Sequence, residues 1–223
     1  MKRLTTLLIV LFLVCPVLGK TKAQPKLLNT KSSKADVVVK LLQKQWDSSD
    51  TFQAQFKQLV HAKKMGTRDT SEGKVFVKKP GKLRWESKTD NSVQILNGSQ
   101  FTVITKNERR KTTQVEIFTK ATQAVDSLML KFLSGRSKFK ENYKFTLEGE
   151  TSMEFMVRFI PKSSKGESLV AEIGKKSYLL RALTTEDSES RVRVEFSDVK
   201  TGLKLPNSLF VYQPKPTDTV LRQ

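Results

Sequence analysis

Apolar and polar residues alternate over most of the chain, which is the pattern of a β-strand with one buried face. In the stretch TFQAQFKQ, for example, Phe52, Ala54 and Phe56 alternate with polar residues. The dipeptide Asn97-Gly98, between two such stretches, is a strong signal for a tight hairpin. The pattern predicts about eleven short strands. The most C-terminal of them are YKFTLEG, EFMVRFIP, SLVAEIG, YLLRALTTE, RVRVEFSD and SLFVYQP.

The helical period of apolar residues occurs only twice. Ser32 or Ser33 can cap a helix that runs to about Trp46. A second helix is predicted over residues 122–134, and Gly135 is a natural C-terminal stop for it. The first helix is expected to bury the face formed by Val37, Val38, Leu41, Leu42 and Gln45. The second has a stripe formed by Val125, Leu128, Met129, Phe132 and Leu133.

This order of elements predicts a mainly β (α+β) fold in a single domain. Many short strands with few long connections favour one strongly curved antiparallel sheet with helices packed against it. The chain has no repeat of fixed period and no linker typical of a domain boundary. The folded domain is expected to span residues 34–223.

The N-terminus has the features of a secretory signal peptide. Lys2 and Arg3 precede an apolar run over residues 4–14, and Val17-Leu18-Gly19 is an acceptable cleavage site. We therefore expect a signal peptide at residues 1–19, export to the periplasm, and a flexible leader at residues 20–33. An uncleaved membrane anchor is the alternative.

The chain is strongly basic. Its formal net charge is +19, and loss of Lys2 and Arg3 with the signal peptide leaves +17. For an exported protein this charge favours an anionic lipid surface or an acidic protein partner over nucleic acid. A generally basic surface that only maintains solubility is an equally good interpretation.

The sequence offers little support for catalysis. His61 is the only histidine, and Cys15, the only cysteine, lies inside the predicted signal peptide. None of the common nucleophile, phosphate-binding or zinc-binding motifs occurs. We expect a binding protein without cofactor or metal. A hydrolase that uses a pair of carboxylates stays open as an alternative.

Three stretches of the chain resemble the first strands of the LolA family of periplasmic lipoprotein carriers. They are FQAQFKQ from Phe52, GKVFVKKP from Gly73 and LRWE from Leu83. The likeness extends through the predicted second helix, at the position of the family's lid helix, to the C-terminal strands. It implies an incomplete, half-open β-barrel of about eleven strands whose concave face is covered by an N-terminal helix and a helical lid.

The resemblance also implies a function. Members of the family accept acylated lipoproteins from the inner-membrane transporter LolCDE, shelter the acyl chains in a hydrophobic cavity, and pass them to LolB at the outer membrane. A soluble carrier is expected, because Leu13 and Val14 before Cys15 do not form the lipidation signal that LolB carries. We also expect it to be a monomer. The alternative is an envelope module of the same fold that senses lipid or lipoprotein and transports nothing.

The cavity predicted from this resemblance would be lined by alternating strand residues and by the lid stripe. Alternation shows which residues share a face but not what fills the space beside them, so an ordinary packed core is an equal alternative. The candidate residues are Val75, Val77, Leu83, Trp85, Val93, Ile95, Phe101, Val103, Leu128, Met129, Phe132 and Leu133.

One residue departs from the family pattern. Many members have an arginine before the proline that corresponds to Pro80, and this arginine holds the lid shut by bonding to backbone carbonyl groups. Here the residue is Lys79, which keeps the charge but lacks the planar fork of donors. We expect Lys79 to act as the lid latch, and Leu83 to lie at the cavity mouth.

Overall fold

The computed structural model describes residues 33–120, 128–134, 138–163 and 168–223. The predicted signal peptide lies outside the described residues, as does the predicted leader except for Ser33. The first part of the predicted lid helix, including Val125, and its expected stop at Gly135 also lie outside them.

In the part of the chain that the structure describes, three α-helices and one 3₁₀ helix accompany twelve strands. The helices are α1 (Lys34–Asp47), α2 (Leu128–Leu133) and α3 (Phe139–Asn142), and the 3₁₀ helix is Asn207–Phe210. Within the described ranges, none of the helices has the length and apolar character needed to span a bilayer. The first six strands are β1 (Thr51–Ala62), β2 (Thr67–Lys78), β3 (Lys82–Ser87), β4 (Ser92–Asn97), β5 (Gln100–Asn107) and β6 (Thr112–Phe118). The others are β7 (Tyr143–Glu150), β8 (Glu154–Pro161), β9 (Leu169–Gly174), β10 (Leu180–Glu186), β11 (Ser190–Thr201) and β12 (Thr219–Arg222).

All twelve strands belong to one open, curled sheet, which confirms the predicted fold class. The strand order is β12-β6-β5-β4-β3-β2-β1-β11-β10-β9-β8-β7, so pairing between β1 and β11 joins two antiparallel meanders. The predicted Asn97-Gly98 hairpin is present, and Gly98 adopts a positive φ of 65° in its two-residue turn. The strand β12 pairs with β6 in parallel, and this pair is the one exception to the antiparallel prediction among the described strands.

The sheet has two apolar faces, each covered by a different part of the chain. The inner face packs against the helices and forms the larger cluster of buried residues, which we call the inner cluster. The outer face carries a smaller group, the outer cluster, consisting of Ile95, Ile104, Val115, Ile117 and Phe210. Both faces of β4 and β5 are covered, and these two strands contribute apolar residues to both clusters.

The helix α1 begins at the predicted place but buries a different face from the one expected. Ser33 is its N-cap, and it forms a reciprocal capping box with Asp36. Val37, which was expected to be buried, is 46% exposed. The buried stripe keeps the expected Val38 and Leu42 and adds Ala35, Val39 and Trp46. Both stripes have helical spacing, and only the contact with the sheet selects one of them.

The predicted strand SLFVYQP is not a strand. Its first residues form the 3₁₀ helix, which places Phe210 in the outer cluster with no exposed surface. The chain then continues without regular structure until β12. An apolar run of this length fits a strand or a single turn that buries one aromatic side chain, and periodicity does not separate the two.

Glycine at position 73 allows β2 and β3 to approach closely. A Cβ atom there would lie 1.7 Å from the carbonyl oxygen of Glu86 and 2.9 Å from Cε1 of Phe56. We expect Gly73→Ala to destabilise the fold by at least about 2 kcal/mol, because a backbone carbonyl cannot rotate away as a side chain can. Chemical denaturation with a spectroscopic readout measures this change.

Gly149 on β7 provides the matched control for this substitution. A Cβ atom at position 149 would meet only the flexible end of Met156, at 3.0 Å. The change Gly149→Ala should therefore alter the unfolding free energy by less than about 1 kcal/mol. Equal losses for the two variants would contradict the close approach at Gly73.

Candidate functional site

The inner face brings together most of the residues that the sequence nominated. Of the twelve candidates, ten belong to the inner cluster or pack directly against it. In the sheet, Val75 pairs with Trp85, and Val77 pairs with Leu83. The ten residues are Val75, Val77, Leu83, Trp85, Phe101, Val103, Leu128, Met129, Phe132 and Leu133.

Val93 and Ile95 do not belong to this face. In the register of the sheet, Ile95 lies opposite Arg84 while its neighbour Leu96 lies opposite Leu83. Ile95 is a member of the outer cluster, and Val93 packs against that cluster. The prediction that these two residues line the same cavity as Leu83 is corrected, because both faces of β4 are apolar and alternation alone does not say which one points inward.

Several inner residues were missed by sequence reasoning. Leu96 takes the place expected for Ile95, and the strands after residue 140 contribute as much of the inner face as the earlier ones. The alternation in EFMVRFIP, SLVAEIG and RVRVEFSD could have identified most of them. Phe52, Ala54 and Phe56 were predicted to share a buried face but were not among the site candidates. The other inner residues outside the candidates include Leu96, Tyr143, Val157, Phe159, Leu169, Ala171, Ile173, Leu183, Val194 and Phe196.

The inner cluster is rich in aromatic contacts. The ring of Phe132 on α2 lies 4.8 Å from that of Phe139 and 5.2 Å from that of Phe159, measured between ring centroids. On the other half of the sheet, Phe56 stacks on Trp85 at 4.0 Å. The side chains of α2 therefore fill the space directly above the strands, and the helices are closed onto the sheet.

The chemistry of this interior is almost entirely hydrocarbon. Within the described ranges, apart from the indole and phenol groups of buried tryptophan and tyrosine residues, the buried polar side chains are all hydroxyls, and no charged side chain is buried. These hydroxyls belong to Thr51, Ser87, Thr102, Ser134 and Thr184. An interior of this kind can accept an apolar ligand, and it would destabilise a charged one by leaving its charge unpaired.

Lys79 lies where the sheet meets the helices. Its ammonium group donates a hydrogen bond to the carbonyl oxygen of Trp46 and lies 5.4 Å from the centroid of that indole. Its backbone N–H donates to the carbonyl oxygen of Asp50 at 2.7 Å. Burial lowers the pKa of Lys79 from its usual value, and the carboxylates of Asp47 and Asp50 oppose this shift.

The latch thus differs in one respect from the expectation. Among the described residues, the Lys79 side chain bonds to α1 and not to the lid helix. The loop does reach the lid by its backbone, because the N–H of Gly81 donates to the carbonyl oxygen of Ser134, just after α2, at 3.0 Å. Residues 79–81 therefore connect the ends of both helices to the sheet. No feature of the sequence pattern identifies Trp46 as the acceptor, since a backbone carbonyl has no sequence signature.

Lys78, Lys82 and Arg84, which lie close to Lys79 in the sequence, bond to the C-terminal segment on the outer face of the sheet. Lys78 Nζ donates to the carbonyl oxygen of Leu205 at 2.7 Å, and both Lys78 and Lys82 bond to the side-chain oxygen of Asn207. Arg84 donates to the carbonyl oxygen of Leu209 at 3.3 Å. Residues 78–84 therefore hold α1 on the inner side and the C-terminal segment on the outer side.

An ion pair connects the N-terminal end of α1 to the sheet. Glu150 on β7 bridges Lys34 of α1 and Lys175, and both ammonium groups lie over the ring of Phe155. Hydrogen bonds from the two lysines lower the pKa of Glu150 to about 2. The carboxylate stays ionised down to that pH, so the contact does not titrate in the neutral range.

A basic groove of about 540 Å³ lies along the contact between α1 and α3. Its charged side chains come from these two helices or directly precede α3, and lysines predominate. The groove is lined by Lys40, Gln43, Lys44, Asp47, Lys138, Lys140 and Glu141. Its charge matches the excess of cations in the composition.

Comparison with known proteins agrees with this arrangement. Residues 47–213 match the sequence profile of the family described as outer membrane lipoprotein carrier protein LolA. The outer-membrane lipoprotein carrier protein of Methylococcus capsulatus is 25% identical over 169 residues, which cover 75% of this chain and 79% of the relative. That of Dechloromonas aromatica is 26% identical over 165 residues, covering 74% and 77%.

Among solved structures, an uncharacterized conserved protein from Thermus thermophilus has the same fold. It aligns with a TM-score of 0.51 at 12% sequence identity and covers 84% of this chain and 98% of its own. The family match extends over most of the chain and includes β1, the strands of the inner face and the loop with Lys79. This chain therefore belongs to the LolA family.

Proposed function

We propose that this protein is a carrier of lipoproteins that shelters their acyl chains against the inner face of the sheet. The observation that supports this proposal is the inner cluster itself, which extends across both halves of the sheet and buries no charged side chain among the described residues. Transferring an acyl chain from water to such a surface gains about 0.8 kcal/mol for each CH₂ group.

Loading requires the helices to move. In the closed arrangement the side chains of α2, including Phe132 and Leu133, occupy the inner face with no exposed surface. An acyl chain must replace these contacts with contacts of its own, so the free energy of binding is the difference between two apolar packings. This difference is small compared with transfer from water, and it allows the cargo to be released.

Membership of the LolA family supports a proposal for the cellular route. We propose that the protein works in the periplasm, accepts acylated lipoproteins from a LolCDE-type transporter of the inner membrane, and delivers them to a LolB-type acceptor at the outer membrane. No step of this route requires catalysis by the carrier. The relatives from Methylococcus and Dechloromonas are named for the same cargo.

Native mass spectrometry of the protein purified from its own periplasm tests the proposal. We expect a fraction of the molecules to carry an additional mass that matches an acylated polypeptide or its lipid part. Protein that is recovered only in the free form, and that binds no palmitoylated peptide in vitro, would contradict a carrier function.

A matched pair of variants locates the binding face. Leu96 and Ile95 are neighbours with exposed fractions of 7% and 2%, but they point to opposite faces. We expect Leu96→Ser to weaken binding of a fluorescent fatty acid by about fivefold or more, because the acyl chain loses an apolar contact of the order of 1 kcal/mol. The change Ile95→Ser should leave the affinity of the folded protein unchanged. Titration at matched folded concentration measures both, and equal effects would argue against the inner face.

A further inference from the structure

The indole of Trp46 has a donor that the protein does not use. Trp46 lies at the end of α1 and is 8% exposed, and its Nε1 has no hydrogen-bond acceptor. It is the one buried side-chain nitrogen or oxygen in the described ranges without a partner. Burial of such a group without an acceptor costs about 1–3 kcal/mol, so the unpaired donor calls for a physical explanation.

The surroundings of this indole lie at a boundary between apolar and polar groups. Its ring packs on Phe52 of the inner cluster, at 5.6 Å between centroids. On another side lies the ammonium group of Lys79, 5.4 Å from the ring centroid. Trp46 and Lys79 also border a cavity of about 10 Å³. The other residues lining this cavity are Gln45, Ser49, Thr51, Phe52, Leu179 and Thr201.

These features restrict what can satisfy the donor. The indole N–H can only donate, so its partner must be an acceptor. The adjacent lysine ammonium group favours an acceptor whose dipole points its negative end toward the cation. The apolar ring of Phe52 on the other side disfavours a fully charged acceptor that would have to be buried. A water molecule in the small cavity could also accept the bond, but only a carbonyl oxygen attached to a hydrocarbon chain meets all three conditions and continues the apolar contact with Phe52.

We infer that the Trp46 N–H donates a hydrogen bond to the ester carbonyl of the acyl chain that the carrier holds. This inference rests on the proposed function. The hydrocarbon lies along the inner cluster, and the polar linkage stays at the rim between α1, β1 and the Lys79 loop. Trp46 is therefore a specificity-determining residue that recognises the acyl linkage, and a phenylalanine would supply the packing of its ring without that recognition.

The test compares binding of two lipids that have the same hydrocarbon chains but are linked to glycerol by an ester in one case and by an ether in the other. Dipalmitoylglycerol carries two ester carbonyls, whereas dihexadecylglycerol has ether oxygens and the same chain length. For the wild-type protein we expect the diester to bind about fivefold more tightly, in keeping with one net hydrogen bond. In Trp46→Phe the preference should disappear, because affinity for the diester falls and affinity for the diether does not.

Trp85→Phe is the matched control. Trp85 is also buried, at 7% exposure, and stacks on Phe56 in the inner cluster. This substitution should keep the ratio between diester and diether even if it changes both affinities. If both variants lose the preference for the diester, the preference results from general repacking of the interior, and the role of the Trp46 donor is overturned.

The possible outcomes separate this inference from the proposed function. If the wild-type protein binds neither lipid, the proposed function fails. If it binds the two lipids equally, the inference fails while the carrier function stands, and this result requires no variant to fold. If Trp46→Phe keeps the preference for the diester, another donor is responsible and the inference is again overturned.

Discussion

Replacement of Lys79 by leucine is expected to slow transfer of an acylated cargo to acceptor membranes by about tenfold or more, since a hydrogen bond to a charged group contributes about 1.5–3 kcal/mol. The substitution removes the ammonium donor from the Trp46 carbonyl oxygen and the cation from the face of the indole. The closed arrangement of α1 loses both contacts. The loaded state then competes better with the closed state, so cargo is retained longer.

Two further variants make this prediction specific. Lys79→Arg keeps the charge and offers more donors, so transfer should stay close to that of the wild type. Lys74→Leu makes the same chemical change at an exposed residue of β2, the strand that precedes Lys79, and should have no effect. Transfer is measured as the rate at which a labelled lipoprotein leaves the carrier for acceptor vesicles. An unchanged rate in Lys79→Leu would remove Lys79 from the closing mechanism.

Replacement of Phe210 by alanine is expected to reduce the free energy of unfolding by about 3–5 kcal/mol. Phe210 has no exposed surface and packs in the outer cluster with Ile95 and Ile104. Its loss leaves a cavity between the sheet and the C-terminal segment. The hydrogen bonds from Lys78 and Arg84 to this segment keep it in place, so the cavity cannot close easily.

The neighbouring residue supplies the control for this prediction. Val211 is 48% exposed, and Val211→Ala should change the unfolding free energy by less than about 0.5 kcal/mol. Denaturant titrations of the two variants give the comparison. A loss in Phe210→Ala no larger than that in Val211→Ala would mean that the C-terminal segment does not cover the outer face in solution.

The two faces of the sheet are covered by different parts of the chain. The outer face is covered by the C-terminal segment, which three cations of residues 78–84 hold by its carbonyl and amide oxygens. The inner face is covered by short helices whose ends are held by a few polar contacts, such as those of Lys79 and Gly81. The proposed function assigns ligand binding to the inner face, which the helices cover.

Much of the fold follows from the sequence because its causes are local. Alternation in stretches such as TFQAQFKQ predicts strands, the Asn97-Gly98 pair predicts its hairpin, and Ser33 begins α1 with a capping box. The family resemblance, carried by the residues from Phe52 to Trp85, is confirmed by the match over residues 47–213. Each of these signals depends on residues close together in the chain.

The candidate site was predicted only in part, because its remaining features depend on long-range contacts. Alternation is symmetric with respect to the two faces, so Ile95 and Leu96 could not be distinguished until β4 was paired in the sheet. The same ambiguity placed Val37 on the buried face of α1. In both cases the deciding factor was the surface against which the element packs.

By itself, the sequence determined that this chain forms a mainly β architecture of alternating strands with helices against the sheet, a large excess of positive charge and the signature of the LolA family. Only the tertiary structure decided that Lys79 bonds to Trp46, that Phe210 closes the outer face, and that the Trp46 N–H is left without an acceptor. The physical reason is that local propensities act along the chain, whereas a backbone acceptor, a covered face or an unpaired donor exists only after distant segments have packed together.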